Sequence, residues 1–253
     1  MKSDIAVDYF RTQSGEPLSL YHKGQNEYLQ SPSGVKYSID SGIVCFPGNT
    51  SLTGNNKNYQ SMYDRFSGYY DLATKAYALL KNGNEKNRLM QYLSLLEIKE
   101  GDKVIEISIG TGRNIKYLNP NAEYFGVDIS LGMLKRCQKK MKRLKREITL
   151  IQAEAESLPI KDESFDTVFS AGGFNFYNDP CKAVLEMLRI AKSGVKILIT
   201  DETEKLRSKF DSNKFYKNNP IKNPAEYLPD YCKDVDYIEI CDGDLYVLTF
   251  KKP

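Results

Sequence analysis

Histidine is almost missing from this chain: there is one in 253 residues, His22. An imidazole therefore cannot act as acid or base in anything built from the residues beyond it. Proton removal there falls to Asp, Glu or Tyr, or is not needed. His22 has no partner at metal-ligand spacing, so it reads as a surface residue and no metal is expected. The five cysteines, Cys45, Cys137, Cys181, Cys232 and Cys241, are odd in number, scattered and without a C-x-x-C pair. That excludes a zinc or disulfide framework and fits free thiols in a reducing compartment. Nowhere do about 18 apolar residues follow one another, which excludes a membrane-spanning helix. The opening MKSDIAVDYF carries no apolar stretch of signal-peptide length, so a cytoplasmic location is expected. Charge is short as well, since a formal net +3 is too little by itself to mark a nucleic-acid binder.

What is present suits a globular protein. With 41% hydrophobic residues the chain can bury a full core, and its length suits one domain with an appendage. Residues 1–58 lack long helical periodicity and are punctuated by Gly, Pro, Ser and Asn, which reads as a small β-rich module of short strands and turns. Residues 59–253 alternate helix and strand signals. Tyr59 to Leu80 places Met62, Phe66, Tyr69, Leu72, Ala76 and Leu79 at helical spacing. Asn82-Gly83-Asn84 interrupts that pattern, and Leu89, Leu93 and Leu96 resume it, so 59–100 reads as helices ahead of the domain proper.

The centre of the chain is Lys103 to Asp128, KVIEISIGTGRNIKYLNPNAEYFGVD. Val104 to Ile109 is a β-branched apolar run around one acid, and it ends at Gly110-Thr111-Gly112 before a segment that could start a helix. Tyr124 to Val127 is a second apolar run, ending on Asp128 at close to the roughly 20 residues expected of a ribose-binding acid. Strand, glycine turn, helix and strand make a βαβ nucleoside site. The third small position of a dinucleotide fingerprint is filled by Ile115, whose branched side chain would keep helix and strand apart beneath a pyrophosphate. Glu106 would repel phosphates too, but it suits a ligand with cationic or hydrogen-donating groups. S-adenosylmethionine is such a ligand, with its ammonium, sulfonium and ribose hydroxyls.

The stretch Glu106-Ile-Ser-Ile-Gly-Thr-Gly112 resembles the E-x-G-x-G-x-G motif of class I S-adenosylmethionine-dependent methyltransferases, with Asp128 where they place the ribose acid. Ser108 stands at the first glycine, so its backbone is expected to avoid positive φ, which only glycine adopts cheaply. The likeness continues through Glu154-Ala-Glu-Ser-Leu-Pro-Ile160, where Glu154 would take the exocyclic amine of adenine and the Ala155 N–H a ring nitrogen. Ser164 to Ser170 is similar to the family's fourth strand, and Lys192-Ser193-Gly194 stands where the family has Lys-Pro-Gly. Tyr63-Asp64 and Tyr70-Asp71 resemble the Y-D elements ahead of the core in ubiquinone and menaquinone biosynthesis methyltransferases, where such a segment lids the cofactor. Ser33 to Phe46 resembles half of a zinc-ribbon module found before some ribosomal-RNA methyltransferases. Leu20, Tyr21, His22 and Ser31 stand near where that module has its cysteines, so only its hairpin shape is expected.

The resemblance implies an α/β fold: a doubly wound, Rossmann-like seven-stranded sheet with an antiparallel last strand, plus the N-terminal β-rich module. The last two strands would be the hairpin of Tyr237 to Cys241 and Leu245 to Phe250. Cofactor contacts are implied for Glu106, Ser108, Gly110, Gly112 and Asn114 around the turn. Others are implied for Asp128, Ile129 and Met133 after the second strand, for Glu154, Ala155 and Ser170, and for Tyr70 in the lid. In such a sheet the ligand sits beyond the carboxyl ends of the strands, so Phe174, Asn175 and Tyr177 would face the methyl acceptor.

Ser130 is placed to cap a helix with Leu131, Leu134, Met141, Leu144 and Ile148 toward the sheet. Between them stand Lys135, Arg136, Lys139, Lys140, Lys142, Arg143, Lys145 and Arg146, read as a solvated face. Residues 203–235 are Tyr-rich and broken by Pro220, Pro224 and Pro229, the place for substrate-specific shaping. The expected function is S-adenosylmethionine-dependent methylation of a small molecule. Two other readings stay open: methylation of ribosomal or transfer RNA, favoured by the basic helix, and a cofactor-binding scaffold without catalysis, favoured by Ser108. No lysine or arginine lies between Ser164 and Cys181, which speaks against a nucleic-acid pocket there.

Overall fold

The computed structural model describes residues 6–24, 26–46, 85–209 and 221–253. The Tyr59–Leu80 segment with Tyr63 and Tyr70, the Asn82-Gly83-Asn84 break and Pro220 lie outside the described residues. The strands are β1 (Ser19–Lys23), β2 (Asn26–Gln30), β3 (Lys36–Asp40), β4 (Ile43–Cys45), β5 (Lys103–Ile107), β6 (Glu123–Asp128), β7 (Thr149–Gln152), β8 (Thr167–Ala171), β9 (Lys196–Glu202), β10 (Lys233–Ile240) and β11 (Leu245–Lys251). They form one sheet in the order β1-β2-β3-β4-β7-β6-β5-β8-β9-β11-β10. From β4 to β9 the pairings are parallel, and β11 runs antiparallel to β9. The seven strands β5 to β11 are the expected doubly wound sheet with its reversed last strand. The chain moves outward through β6 and β7 on one side of β5 and through β8 and β9 on the other.

Alternation along β5 explains the two layers. Val104 packs into one apolar cluster with Leu134, Cys137 and Met141 of α2 (Leu131–Leu144) and with Leu89, Tyr92 and Leu93 of α1 (Glu85–Leu93). Ile105 and Ile107 enter the opposite cluster, with Phe125, Phe165, Val168 and the inner face of α3 (Pro180–Ile190). Strands buried on both faces need apolar residues at nearly every position, and Glu106 is therefore a costly exception. Local chemistry sets the helix starts. Ser130 accepts the Met133 N–H and Asp179 accepts the Lys182 N–H ahead of Pro180 at the first helical position, each satisfying one orphan donor.

Two expectations change. After Gly112 there is no α-helix, only a 3₁₀ turn at Ile115–Tyr117. Few residues separate Gly112 from β6, Pro120 stands in the gap, and the Asn119 side chain turns the chain by accepting the Asn121 N–H. Helix α2 stops at Leu144, with Lys145 left-handed, so Leu144 is 42% exposed instead of facing the sheet.

The N-terminal strands do not carry a core of their own. Val44 and Cys45 of β4 pair with Ile151 and Gln152 of β7. Phe10, Leu18, Leu29, Tyr37 and Phe46 belong to the same cluster as Ile105 and Phe125. Phe10, fully buried, lies 5.7 Å from the Phe46 ring and bridges to Ile160. Phe10→Ala should thus cost about 3–5 kcal/mol and shift one unfolding transition of the whole chain in urea, followed by far-UV dichroism. A small early transition that moves alone would mean that the hairpins unfold as a separate unit.

Candidate functional site

The carboxyl ends of β5, β6 and β7 and the loop after β8 enclose an open cleft of about 290 Å³. It is lined by Ile107 and Ser108, by Val127, Asp128 and Ile129, by Ala153, Glu154, Ala155 and Glu156, and by Tyr177. Of the residues expected to bind, Ser108, Asp128, Ile129, Glu154, Ala155 and Tyr177 meet here. Glu156, Ile107, Val127 and Ala153 join them unforeseen.

Asp128 holds the turn. Its Oδ2 accepts the Gly110 N–H at 2.8 Å and its Oδ1 the Ser130 N–H at 2.9 Å. One carboxylate thus joins the glycine turn to the start of α2. Gly112 has φ +67°, and a Cβ there would lie 2.6 Å from Cys137 Sγ. Glycine lets α2 press onto the turn. Met133 packs against Gly110 and supports the turn from behind.

Ser108 has φ +61°, contrary to the expectation that serine would avoid this conformation. A non-glycine residue there costs about 1–2 kcal/mol. Its Oγ shares a 2.9 Å hydrogen bond with the Tyr177 hydroxyl, an offset of roughly 1 kcal/mol. The room for its side chain comes from Gly173, where a Cβ would fall 2.4 Å from both Cβ and Oγ of Ser108. The glycine that the motif lacks has in effect moved to the facing loop.

Glu106 is 1% exposed. Its Oε1 accepts the Asn114 amide at 2.6 Å, and Tyr92 donates to Asn114 Oδ1 at 2.7 Å. Oε2 has no partner among the described residues. Burial, opposed by the Asn114 hydrogen bond and aided by the nearby Asp128 charge, pushes its pKa up to about 8. Asn114 is therefore a support for Glu106, and Tyr92 supports Asn114. Tyr92 gave no sign of this in the sequence, where it reads as one more apolar helix position. Burial and the neighbouring Glu156 also raise Glu154. Glu156 Oε1 accepts the Asn178 and Asp179 N–H groups at 2.9 and 3.4 Å, tying the loop after β8 to the loop after β7.

Two expected acceptor residues are placed otherwise. Phe174 is 1% exposed, its ring 5.4 Å from Tyr177 and 5.9 Å from Tyr227. Asn175 spends its amide inward: Nδ2 donates to the Glu202 carbonyl and Oδ1 accepts from Tyr246, both at 2.9 Å. Its N–H goes to Asp201, a buried carboxyl whose pKa burial pushes up to about 7. The loop sits on the end of β9, and its polar groups satisfy that end. Ser170, fully buried, supports Tyr177 from below at 3.0 Å.

The basic helix is partly committed to its neighbours. Lys135 pairs with Asp40 at 2.7 Å and Lys140 donates to Thr111. Arg146 reaches the carbonyls of Ile115, Leu118 and Asn119. Among the described residues no group of three or more His, Cys, Asp or Glu is placed to hold a metal, and the His22 side chain is 60% exposed.

Residues 105–199 match the family model described as a methyltransferase domain. The chain is 30% identical over 142 residues to the demethylmenaquinone methyltransferase of Renibacterium salmoninarum, a match covering 56% of this chain and 57% of the relative. Over 155 residues it is 29% identical to the ubiquinone/menaquinone biosynthesis C-methyltransferase of Syntrophotalea carbinolica, covering 58% and 64%. The chain thus spans about six tenths of the length of these curated relatives. A crystal structure of a SAM-dependent methyltransferase from Thermotoga maritima superposes with a TM-score of 0.57 at 24% identity, over 77% of this chain and 99% of the other. The fold is that of the class I methyltransferases, the matched segment is similar to a methyltransferase domain, and S-adenosylmethionine is the cofactor in the name of that structural neighbour. The site fits that group. A ligand ammonium would satisfy the orphaned Glu106 oxygen, and Asp128 and Glu154 can accept from hydroxyl and amine donors.

The exchange of glycine between positions 108 and 173 is open to a double-mutant cycle. Gly173→Ala should destabilise by about 1–3 kcal/mol and Ser108→Gly should change stability by less than about 1 kcal/mol. In the Ser108→Gly background the cost of Gly173→Ala should fall by at least about 1 kcal/mol. Urea melts of the four proteins that give additive effects would show that the two positions do not share space.

Proposed function

We propose that this protein transfers a methyl group from S-adenosylmethionine to a small, flat, largely apolar acceptor of the kind named in its quinone-biosynthesis relatives. The observation that carries the cofactor half is Glu106, a fully buried carboxyl group with one oxygen unpaired among the described residues, on the strand that ends in the glycine turn. Bound S-adenosylmethionine supplies a methyl group activated by its sulfonium. The chain's part is to position and to exclude water. Glu106 takes the ammonium, Asp128 the ribose hydroxyls, and Glu154 with the Ala155 N–H the adenine edge. The acceptor half is supported by the Tyr177 ring, which lines the cleft with Phe174 packed against it, and by the absence of lysine and arginine from its lining among the described residues. A polyanionic acceptor would need cations there.

The pKa of Glu106 turns this into a pH experiment. Raised from an ordinary 4.5 to about 8, the folded ligand-free protein holds a proton on Glu106 that the unfolded chain has released. Its contribution therefore makes the ligand-free protein lose stability as pH rises from about 4.5 to about 8. A cationic ligand must displace that proton, so affinity should climb from pH 6 to 7.5, by up to about tenfold per pH unit. Calorimetry in two buffers of different ionisation enthalpy should show one site per chain and proton release. NADH should not bind. Glu106→Gln should bind more weakly and without the pH slope. Absence of S-adenosylmethionine binding would end the proposal, and pH-independent binding by the parent protein would remove Glu106 from the ammonium site.

A further inference from the structure

Three hydroxyl groups meet at the wall of the cleft formed by β5 and the loop after β8. Tyr177 OH lies 2.9 Å from Ser108 Oγ and 3.0 Å from Ser170 Oγ. Three hydroxyls carry three protons, and the two hydrogen bonds between them use two. Ser170 is fully buried, and leaving its proton without an acceptor would cost about 1–3 kcal/mol. Ser170 therefore donates to Tyr177. The unspent proton belongs to Tyr177 or to Ser108, and both line the cleft. We propose that this pair is a subsite for an oxygen of the methyl acceptor, giving one O–H donor to a phenolic or carbonyl lone pair. The proposal rests on the methyl-transfer reading above and adds what holds the acceptor.

The site is built for this. Ser108 is kept in a left-handed conformation, with Gly173 cleared of a side chain to admit it. Burial raises the Tyr177 pKa far above the ordinary phenol value, so the cluster stays neutral and keeps its protons. Across the cleft stand Asp128, Glu154 and Glu156, which as carboxylates accept hydrogen bonds and repel an anion. The nucleoside donors of the cofactor belong on that side. The hydroxyl pair is a neutral side-chain donor among the described lining residues, and the Tyr177 ring that carries one of the hydroxyls is held by Phe174 behind it.

The test compares two probes of nearly equal size, 1-naphthol and 1-methylnaphthalene, titrated into protein saturated with S-adenosylhomocysteine. The parent protein should prefer the naphthol by about fivefold or more, the value of one neutral hydrogen bond. In Ser108→Gly/Tyr177→Phe, which removes both cleft hydroxyls, the ratio should fall to about one at an S-adenosylhomocysteine concentration that saturates the variant. Ser170→Ala, which leaves both of them in place, should lower the ratio only in part. Equal binding of the two probes by the parent protein would overturn the subsite. So would a double variant that keeps the preference and loses cofactor affinity, since the hydroxyls would then serve the cofactor's carboxylate. Failure of S-adenosylhomocysteine itself to bind the parent protein would overturn the methyl-transfer reading, and it would be seen before any naphthalene is added.

Discussion

The glycine-turn end of the molecule hangs on the backbone hydrogen bonds that Gly110 and Ser130 donate to Asp128. Strand β6 ends on this residue, and its carboxylate takes the Gly110 N–H from the neighbouring strand's turn and the Ser130 N–H that begins α2. Without them the turn would have two donors to satisfy elsewhere and α2 would lose its fixed origin. With them, Cys137 and Met141 of α2 come down on Gly112 so closely that a Cβ there would stand 2.6 Å from sulfur. A charge–dipole contact at the strand end thus decides how a helix packs two turns later. The residue expected to bind ribose is also the residue that makes its own site rigid.

Position 108 shows how such a site tolerates a departure from its motif. Positive φ is demanded by the geometry of the turn, whatever side chain is present, and glycine is the cheapest way to supply it. Here serine supplies it at a cost of about 1–2 kcal/mol, and two neighbours are adapted to it. Tyr177 gives its hydroxyl a partner, and Gly173 gives up the space. The loss of a glycine therefore does not by itself signal a decayed site. A decayed site would have no reason to keep Tyr177 bonded on both sides by Ser108 and Ser170.

Much of this was legible before the structure, and what was not has a common cause. The apolar runs of β5 and β6 and the hairpin of β10 and β11 follow from side-chain pattern, and the start of α2 from the capping chemistry of Ser130. Asp128 was singled out by its spacing from the glycine turn, and Glu154 and Ala155 by the resemblance to the methyltransferase motif. The failures involve partners far apart in sequence. Asn175 reads as a free amide in a loop, and only the approach of β11 to β9 shows that Tyr246 and Glu202 consume it. Glu106 reads as a strand acid, and Tyr92 and Asn114 reveal how little of its carboxylate is satisfied. The N-terminal hairpins read as an appendage because no local pattern announces that β4 will pair with β7.

Electrostatics gives the site its selectivity. Asp128, Glu154 and Glu156 line the cleft and Glu106 is buried on the strand that leads into it, while among the described residues the lining holds no lysine or arginine. Bringing carboxylates together away from water raises the cost of each, which is visible in the upward shifts of Glu106 and Glu154. A ligand bearing phosphate would add to that repulsion, whereas one bearing an ammonium and several hydroxyl or amine donors relieves it. The same acids leave a second ligand little choice, because an anionic acceptor would meet the same repulsion. On the proposed reading, the remaining wall suits a neutral molecule held through the hydroxyl groups of Ser108 and Tyr177.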